Sequence, residues 1–280
     1  MAGTTSSISA DFRLVPRFLG EAGERVFTLQ FCPTVAPKAH IVFLPAFAEE
    51  MNRCRSVVAA QARCFASLGY ACTLLDFYGT GDSEGVLRDC TLDLWYDNIE
   101  TTLKTLASDF SGPVHLWGLR LGGLLALDFS VRRKCTVDGL LLWQPVSGAK
   151  LYINQMLRQR VASLMVKGQN AETTKEIRQR LAAGEEVEIA GYTLSGALVD
   201  DIESIDLSTM SVPCTGDMHW FENTSSPEAE IGVPARNAIE LLRGHGNLVT
   251  LHTYSDPPVW QIANRESAPQ LVEKTSEVYR

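Results

Sequence analysis

Residues 115–123 read HLWGLRLGG, and this short stretch decides the fold of the chain. An apolar, strand-like run ends at Trp117, and an apolar helical pattern begins at Leu121. Between them, two glycines in Gly-x-x-x-Gly spacing flank Arg120, because so tight a turn leaves no room for neighbouring side chains. The stretch therefore predicts a strand, a sharp turn that presents Arg120 at the carboxyl end of a sheet, and a helix.

Strand and helix patterns alternate on both sides of this turn. Apolar strand patterns occupy residues 26–31, 40–44, 71–77, 113–117 and 139–143, and helical patterns occupy residues 55–68, 91–110 and 121–131. Helices of this length between successive strands indicate crossover connections, which parallel strands require. We therefore predict an α/β fold with a mostly parallel central sheet flanked by helices.

The pattern changes after the fifth of these strands. Residues 147–206 carry charged helical patterns, at 151–166 and 173–183, and no evident buried strand. Strand patterns return at residues 212–221 and 248–254. We therefore predict one folding unit in three stretches: a first core part (1–146), an inserted helical cap (147–206) and a second core part (207–280).

The composition is typical of a globular protein, since 45% of the 280 residues are hydrophobic and 21% are charged. The net charge of −8 argues against nonspecific binding to nucleic acid or to anionic lipid. No apolar run approaches the roughly 20 residues that span a bilayer, and residues 1–10 carry no secretory pattern. We expect a protein without a membrane span that stays in the cytoplasm.

The cysteine pattern favours neither a metal site nor a disulfide framework. The chain has seven cysteines, an odd number, with no Cys-x-x-Cys pair and no Cys/His cluster. Reduced cysteines that pack as small core residues are the favoured interpretation. We expect no metal and no organic cofactor.

Two further loops strengthen the prediction from the turn. Residues 76–85 read DFYGTGDSEG, which resembles the D-x-x-G-x-G-x-S-x-G loop at the same place in many α/β-hydrolases. Residues 44–52 read LPAFAEEMN and occupy the place of the oxyanion loop in that fold. In this resemblance the turn at Arg120 is the nucleophile elbow, which carries the attacking serine in a working enzyme. Three motifs in the correct order indicate the α/β-hydrolase fold.

A narrower resemblance rests on three motifs together: PAFAEEMN at residues 45–52, GLRLGG at residues 118–123 and AGYTLS at residues 190–195. In combination they resemble the exosortase A system-associated hydrolases of the second type, a bacterial branch of the α/β-hydrolases. The resemblance implies a setting of exopolysaccharide production and export of sorted surface proteins. It supplies no known substrate.

The sequence does not provide a serine triad at the expected positions. Arg120 cannot be the nucleophile, because a guanidinium stays protonated at working pH and offers no lone pair. The loop after the last strand pattern, residues 255–261, contains no histidine that could act as the base. Glu222 fits the acid position and Asp217 fits it less well, but an acid alone makes no triad.

Other residues do not replace the missing base and nucleophile. The histidines fall inside strand patterns (His40, His115, His219 and His252) or before the last strand, at the opposite end of the sheet (His245). Among other nucleophiles, Ser83 fits a turn-stabilising role and Cys214 fits a buried strand. Ser147 has no histidine placed beside it by the sequence. Conventional serine chemistry is therefore not expected.

Arg120 has two candidate partners. The backbone N–H groups of Leu121 and of Phe47 or Ala48 are expected to point at the same spot, so a ligand carboxylate or phosphate could bind there. The alternative is an ion pair within the protein: Glu49 or Glu50 of the oxyanion loop pairs with the guanidinium and fixes that loop. The sequence leaves both alternatives open.

Two functions follow from these alternatives. The first is a noncatalytic member of the fold that binds a small anionic ligand, or a protein partner of the surface-export machinery. The second is a hydrolase or transferase that uses Glu49, Glu50 and Asp76 around Arg120 on a glycan- or lipid-linked substrate. Trp260 is expected near the mouth of the cleft in both. An esterase with a serine at another position is a third, weaker alternative.

Overall fold

The computed structural model describes residues 12–166, 168, 172–226, 228–261 and 267–280. The strands in these ranges are β1 (Phe12–Leu19), β2 (Val26–Pro33), β3 (His40–Leu44), β4 (Ala71–Leu75), β5 (Val114–Leu119), β6 (Gly139–Trp143), β7 (Val187–Ile189), β8 (Tyr192–Leu194), β9 (Met218–Asn223) and β10 (Val249–Tyr254). The helices are α1 (Glu49–Ser67), α2 (Leu92–Asp109), α3 (Leu121–Arg132), α4 (Ala149–Val166), α5 (Thr174–Ala182), α6 (Gly196–Glu203), α7 (Val233–Gly244) and α8 (Pro269–Val278). Short 3-10 helices lie at Leu87–Asp89 and Leu207–Thr209.

Eight of the strands form one sheet in the order β1-β2-β4-β3-β5-β6-β9-β10. β2 pairs antiparallel with both β1 and β4, and all other neighbouring strands in the sheet are parallel. Every residue of β3 and of β6 is buried, as expected for strands that helices cover on both faces. The predicted α/β fold with a mostly parallel central sheet is confirmed.

Two apolar clusters hold the helices against the sheet. On one face α1 and α8 contribute Phe65 and Leu271 to a buried cluster. On the other face α2, α3 and α7 contribute Ile99, Leu124 and Ile239 to a larger cluster. Burial of these side chains removes apolar surface from water on both sides of the sheet, which is the main force that stabilises such a layered fold.

The segment between β6 and β9 contains α4, α5, a hairpin of β7 and β8, and α6. We expected only helices here, so the hairpin is a correction. Its two-residue turn at Ala190 and Gly191 has φ angles of 51° and 86°, the pair of positive values that short hairpins favour. In β7, the buried Val187 and Ile189 flank the exposed Glu188. A strand of three residues is too short for this alternation to be recognised in the sequence. The limits of the cap, 147–206, remain a prediction.

The starts of two elements also differ from the sequence-based predictions, and one strand was not predicted. α1 begins at Glu49 rather than at residue 55, and two glutamates in its first turn favour that start electrostatically. β9 begins at Met218 rather than at residue 212, because Cys214 forms only an isolated bridge with Val137. β1 was not predicted, since it lies at the edge of the sheet and most of its residues are exposed.

The turn between β5 and α3 depends on close backbone approach at its glycines. A Cβ on Gly118 would lie 2.4 Å from the Cα of Gly123, and one on Gly122 would lie 2.1 Å from the carbonyl oxygen of Leu44. These neighbours are backbone atoms, which cannot move away without disturbing α3 or the pairing of β3 with β5. The fold itself therefore requires both glycines.

We expect Gly122→Ala to lower the free energy of unfolding by about 3 kcal/mol, because the new Cβ would overlap the Leu44 carbonyl. The control is Gly148→Ala, whose Cβ would meet only the Cβ of Leu151, at 3.8 Å. We expect the control to stay within about 0.5 kcal/mol of wild type. Urea denaturation followed by circular dichroism measures both variants, and equal losses would contradict this geometry of the turn.

Candidate functional site

Arg120 lies at the turn between β5 and α3. Its φ of 54° and ψ of −118° fall in a region that residues with a side chain rarely adopt. Ala48, at the start of α1, has a similar conformation, with φ 54° and ψ −129°. Such conformations cost about 1–3 kcal/mol each and persist only where the surrounding structure fixes them. The backbone of the turn therefore projects the Arg120 side chain from the carboxyl end of β5.

The Arg120 side chain is held on several sides. Its Nε and Nη2 atoms both lie 3.3 Å from the Oε1 atom of Glu50, to which they donate. Its Nη1 atom donates to the carbonyl oxygen of Gln144, also at 3.3 Å. The guanidinium carbon lies 5.7 Å from the ring centre of Tyr152 and 5.3 Å from that of Trp260. Only 14% of the side chain is exposed, so these contacts fix the guanidinium.

Glu50 connects this ion pair to α4. Its Oε2 atom accepts a hydrogen bond from the Tyr152 hydroxyl at 2.9 Å. Burial raises the pKa of Glu50, while the charge of Arg120 and the hydrogen bond from Tyr152 oppose that rise. Burial and the adjacent Glu50 raise the pKa of Tyr152 well above its usual value, so the phenol stays protonated. The three side chains form one coupled unit.

The internal pairing leaves hydrogen-bonding capacity on Arg120. A guanidinium carries five N–H donors. Within the described residues, Glu50 and the Gln144 carbonyl take three of them, so one N–H on each Nη atom has no partner. Arg120 also lines an open cleft of about 190 Å³. Arg120 thus pairs with Glu50 and also lines the cleft, so the internal ion pair does not exclude a ligand at Arg120.

The cleft is lined by residues from the ends of several elements: Arg120, Gln144, Pro145, Val146, Ser147, Gly148, Leu151, Tyr152, Gln155, Glu222, Gly232, Pro234 and Ala235. Glu222 lies near the carboxyl end of β9. Its Oε1 atom accepts from Nε2 of Gln144 at 2.8 Å, and its Oε2 atom accepts from Nε1 of Trp220 at 2.9 Å. Burial raises the pKa of Glu222, while these hydrogen bonds and Arg120 oppose the rise. A guanidinium and a carboxyl group thus share one cleft.

Three helices begin at this cleft. α3 starts just after Arg120, α4 starts just after Gly148, and α7 starts beside Gly232 and Pro234. None of the three has an acidic residue in its first turn, and neither α3 nor α7 has a side-chain cap. The amino ends of helices carry partial positive charge and unpaired N–H groups, which favour anions. The helix ends and Arg120 therefore add positive potential to the cleft, and the carboxyl groups of Glu50 and Glu222 oppose it where they are ionised.

Two acidic residues from the sequence analysis lie elsewhere. The side chain of Glu49 is 41% exposed and interacts with Nε of Arg53 at 3.5 Å. Asp76 accepts hydrogen bonds from Nη2 of Arg55 and from the backbone N–H of Asp82, both at 3.0 Å. Neither acid lines the cleft of Arg120. The expected set of carboxylates around Arg120 is corrected accordingly, because Glu49 and Asp76 each interact with an arginine of α1.

The four other residues expected to bind a ligand beside Arg120 do not all lie against its side chain. Leu121 is buried at the start of α3, and Ala48 is buried just before α1. Phe47 packs on Trp95 with 5.8 Å between the ring centres, so its side chain belongs to the core. Trp260 contacts the guanidinium but is itself buried. Of these four residues, only Trp260 is shown to touch the Arg120 side chain.

The described histidines are hydrogen-bonded away from Arg120. Their partners are the Thr73 hydroxyl (His40, 2.7 Å), the Tyr279 hydroxyl (His115, 3.2 Å), each other (His219 and His252, 3.1 Å) and the Met210 carbonyl (His245, 2.6 Å). None of them lines the cleft. In the part of the chain that the structure describes, no imidazole is placed to activate a nucleophile there.

In the same described ranges, no group of three or more His, Cys, Asp or Glu side chains could hold a metal ion. The cysteines are free thiols. None of the helices in those ranges is long and apolar enough to cross a membrane.

Sequence reasoning missed two residues of the site. Gln144 has a positive φ of 43°; its carbonyl binds Arg120 and its side-chain amide binds Glu222, so it links the two charged groups. In the sequence, Gln144 belongs to a Gln-Pro pair directly after a strand pattern, which gives no indication of this role. Tyr152 lies in a charged helical pattern that gives no indication of a polar partner, whereas its hydroxyl binds Glu50.

Comparison with known proteins agrees with this geometry. Residues 35–205, more than half of the chain, match the family Serine aminopeptidase, S33. The chain belongs to this family.

More distant likenesses concern the fold. The chain is 35% identical over 101 residues to the palmitoyl-protein thioesterase ABHD10, mitochondrial, of Mus musculus, a match that covers 36% of this S33 chain and 32% of the relative. It thus spans about a third of the length of that curated relative. A putative hydrolase from Agrobacterium vitis S4 superposes with a TM-score of 0.60 at 16% identity, over 95% of this chain and 97% of the other. Est1E from Butyrivibrio proteoclasticus gives 0.62 at 16% identity, over 94% and 96%. These structures show the α/β-hydrolase fold.

We expect Arg120→Met to lower the free energy of unfolding by about 3 kcal/mol at neutral pH, because it leaves the Glu50 carboxylate buried without its cation. Without Arg120, burial holds the folded-state pKa of Glu50 above its unfolded value. Stability is then greatest below the unfolded pKa and falls as pH rises through the folded pKa. Thermal denaturation at pH near 5 and near 8 measures this difference.

The control is the double variant Arg120→Met/Glu50→Gln, which removes both charges. We expect it to recover most of the stability that Arg120→Met loses, and to lack the extra dependence on pH. If the single and double variants were equally unstable at both pH values, Glu50 would not be the partner that Arg120 neutralises.

Proposed function

We propose that this S33-family chain is a noncatalytic member of the α/β-hydrolase fold that binds a small anionic ligand beside Arg120. One observation carries the proposal. The guanidinium occupies the nucleophile position with two unpaired N–H donors, in a cleft where three helices begin without an acidic first turn. A carboxylate or phosphate oxygen that accepts both N–H groups is the complementary ligand.

The same site does not support covalent catalysis from residue 120. A guanidinium has no lone pair for attack, and no histidine lines the described cleft. ABHD10 is a thioesterase by name, but the chain matches only about a third of it, and Arg120 replaces the attacking group that acyl transfer at this elbow needs. Under the proposal the chain therefore shares the fold of the family but does not catalyse the reaction of its relatives.

The biological setting is a further part of the proposal. The motifs at residues 45–52, 118–123 and 190–195 support a role linked to an exosortase and exopolysaccharide pathway, by resemblance alone. Under this proposal the anionic ligand, or a partner protein with an exposed carboxylate, belongs to the surface-export machinery and meets the chain in the cytoplasm.

A second candidate function is supported by Glu222. Burial raises the pKa of Glu222, which favours the protonated form that a general acid needs, and Glu222 lines the same cleft as Arg120. A hydrolase or transferase would then use Glu222 and Glu50 on a glycan- or lipid-linked substrate. Glu49 and Asp76, which lie outside the cleft, would take no part in it.

We expect acetate and inorganic phosphate to bind the wild-type protein in isothermal titration calorimetry. The double variant Arg120→Met/Glu50→Gln should weaken this binding by about tenfold or more, because the charge-assisted hydrogen bonds are lost while the net charge is kept. A matched control, Arg178→Met/Glu203→Gln, removes another ion pair, which is 2.5 Å long and lies outside the cleft. Equal weakening in the control would contradict the assignment of the site.

The same titrations test the role of Glu222. Because burial raises the pKa of Glu222, its carboxyl group ionises at a higher pH than an exposed glutamate does. The ionised carboxylate then repels a bound anion. Affinity should therefore fall as pH rises through that pKa. Glu222→Gln should abolish the fall, and a variant that kept it would show that another group is responsible.

We expect no hydrolysis of p-nitrophenyl esters and no labelling by fluorophosphonates, since no activated hydroxyl faces the described cleft. The second candidate function would instead give turnover that Glu222→Gln abolishes without a change in the melting temperature. Esterase activity that survives purification, with a serine labelled and located by mass spectrometry, would refute the noncatalytic proposal.

A further inference from the structure

A second cavity lies between α1 and the sheet, and we call it the α1 cavity. Its volume is about 160 Å³. It is lined by Leu29, Phe43, Pro45, Ala46, Met51, Cys54, Arg55, Val58, Ala59, Leu74, Leu75, Asp76 and Leu119. It shares no lining residue with the Arg120 cleft, so it is a separate site.

The α1 cavity is apolar over most of its wall. Its inner part is formed by fully buried side chains such as Cys54, Leu75 and Leu119, and its mouth by the half-buried Leu29 and Leu74. Burial raises the pKa of the Cys54 thiol to about 12, so this wall carries no thiolate at neutral pH. An engineered protein cavity of about 150 Å³ with a similar aliphatic lining stays dry and binds benzene. The α1 cavity therefore has room for a hydrocarbon group of about six carbons.

Two polar side chains in the wall, Arg55 and Asp76, could bind a polar group of a ligand. Nη2 of Arg55 donates to Oδ2 of Asp76 at 3.0 Å, and the backbone N–H of Asp82 donates to the same oxygen at 3.0 Å. No described residue donates to the other oxygen, Oδ1, and the described contacts of Arg55 use one of its five N–H groups. Asp76 and the 45% exposed side chain of Arg55 thus keep an acceptor and several donors without a described partner at the solvent edge of the cavity.

The charges of Arg55 and Asp76 cancel, and a neutral ligand is therefore favoured over a charged one. A carboxylate near Arg55 would also meet the negative charge of Asp76, and an ammonium near Asp76 would meet the positive charge of Arg55. Burying either charged group beside an apolar wall is costly when its partner is already paired. A hydroxyl group both donates and accepts one hydrogen bond, so it can satisfy Asp76 and Arg55 together.

We propose that the α1 cavity binds a neutral alcohol or phenol with about six carbons. The hydrocarbon group fills the apolar part of the cavity. The hydroxyl donates to Oδ1 of Asp76 and accepts from an N–H of Arg55. The proposal does not rest on the function proposed for the Arg120 cleft.

The test compares four ligands of similar size with wild-type protein, by calorimetry and by amide chemical shifts in NMR. Phenol and 1-hexanol should bind in the millimolar range or tighter and shift the amides of Leu29, Val58 and Leu74. Hexanoate and hexylamine should bind at least about fivefold more weakly, because each meets a like charge. Absence of phenol binding, tighter binding of either charged ligand, or shifts centred on Arg120 would each overturn the proposal.

Variants of α1 locate the site independently. Ala59→Leu adds three carbons to a residue of the cavity wall and should weaken phenol binding by about tenfold or more. The next residue, Ala60, does not line the α1 cavity, so Ala60→Leu is the matched control and should bind phenol as wild type does. Thermal melting verifies that both variants are folded. Unchanged phenol affinity in a folded Ala59→Leu variant would refute the proposal.

The polar end has its own pair of variants. Arg55→Gln should weaken phenol binding several-fold and reduce the preference for phenol over hexylamine, since the cation that repels the amine is gone. Arg63→Gln removes an exposed arginine of the same helix and should leave both affinities unchanged. If Arg55→Gln kept the full preference, the hydroxyl would not be recognised by the Arg55–Asp76 pair.

Discussion

The ion pair between Arg120 and Glu50 is the interaction on which the cleft depends. It joins the start of α1 to the turn between β5 and α3, and the Tyr152 hydroxyl extends the connection to α4. The residues at those two chain positions, Ala48 and Arg120, both have φ angles of 54°, which a folded chain tolerates only under close packing. The pair therefore does two things at once. It neutralises a buried charge, and it holds two strained segments against each other.

The sheet then determines what surrounds the pair. Because β5, β6 and β9 are parallel neighbours, their carboxyl ends meet at one edge and bring Arg120, Gln144 and Glu222 together. The helices that follow such strands begin at the same edge, so their amino ends add positive potential. The positive potential of the helix ends is thus a property of the topology, and it acts beside the Arg120–Glu50 pair and the Glu222 carboxyl.

The sequence predicted those parts of the structure that depend on local patterns. Continuous apolar runs predicted β3 and β6, and the glycine pair predicted the turn at Arg120. Glu50 could be named as a partner because the oxyanion loop must lie beside the elbow in this fold. Contacts that depend on the path of distant segments were not predictable: Tyr152 reaches Glu50 across 102 positions, and Asp76 pairs with Arg55 rather than with Arg120.

A permanent charge at the elbow favours binding over turnover for a physical reason. Catalysis needs interactions that become stronger between the ground state and the transition state. An oxyanion hole meets that need because the negative charge on the substrate appears only as the bond forms. A ligand that carries its negative charge from the start gains the same stabilisation from Arg120 before and during any reaction. For such a ligand the stabilisation appears as affinity. Under the noncatalytic proposal, a guanidinium at this turn changes the use of the scaffold from turnover to binding while the fold remains the same.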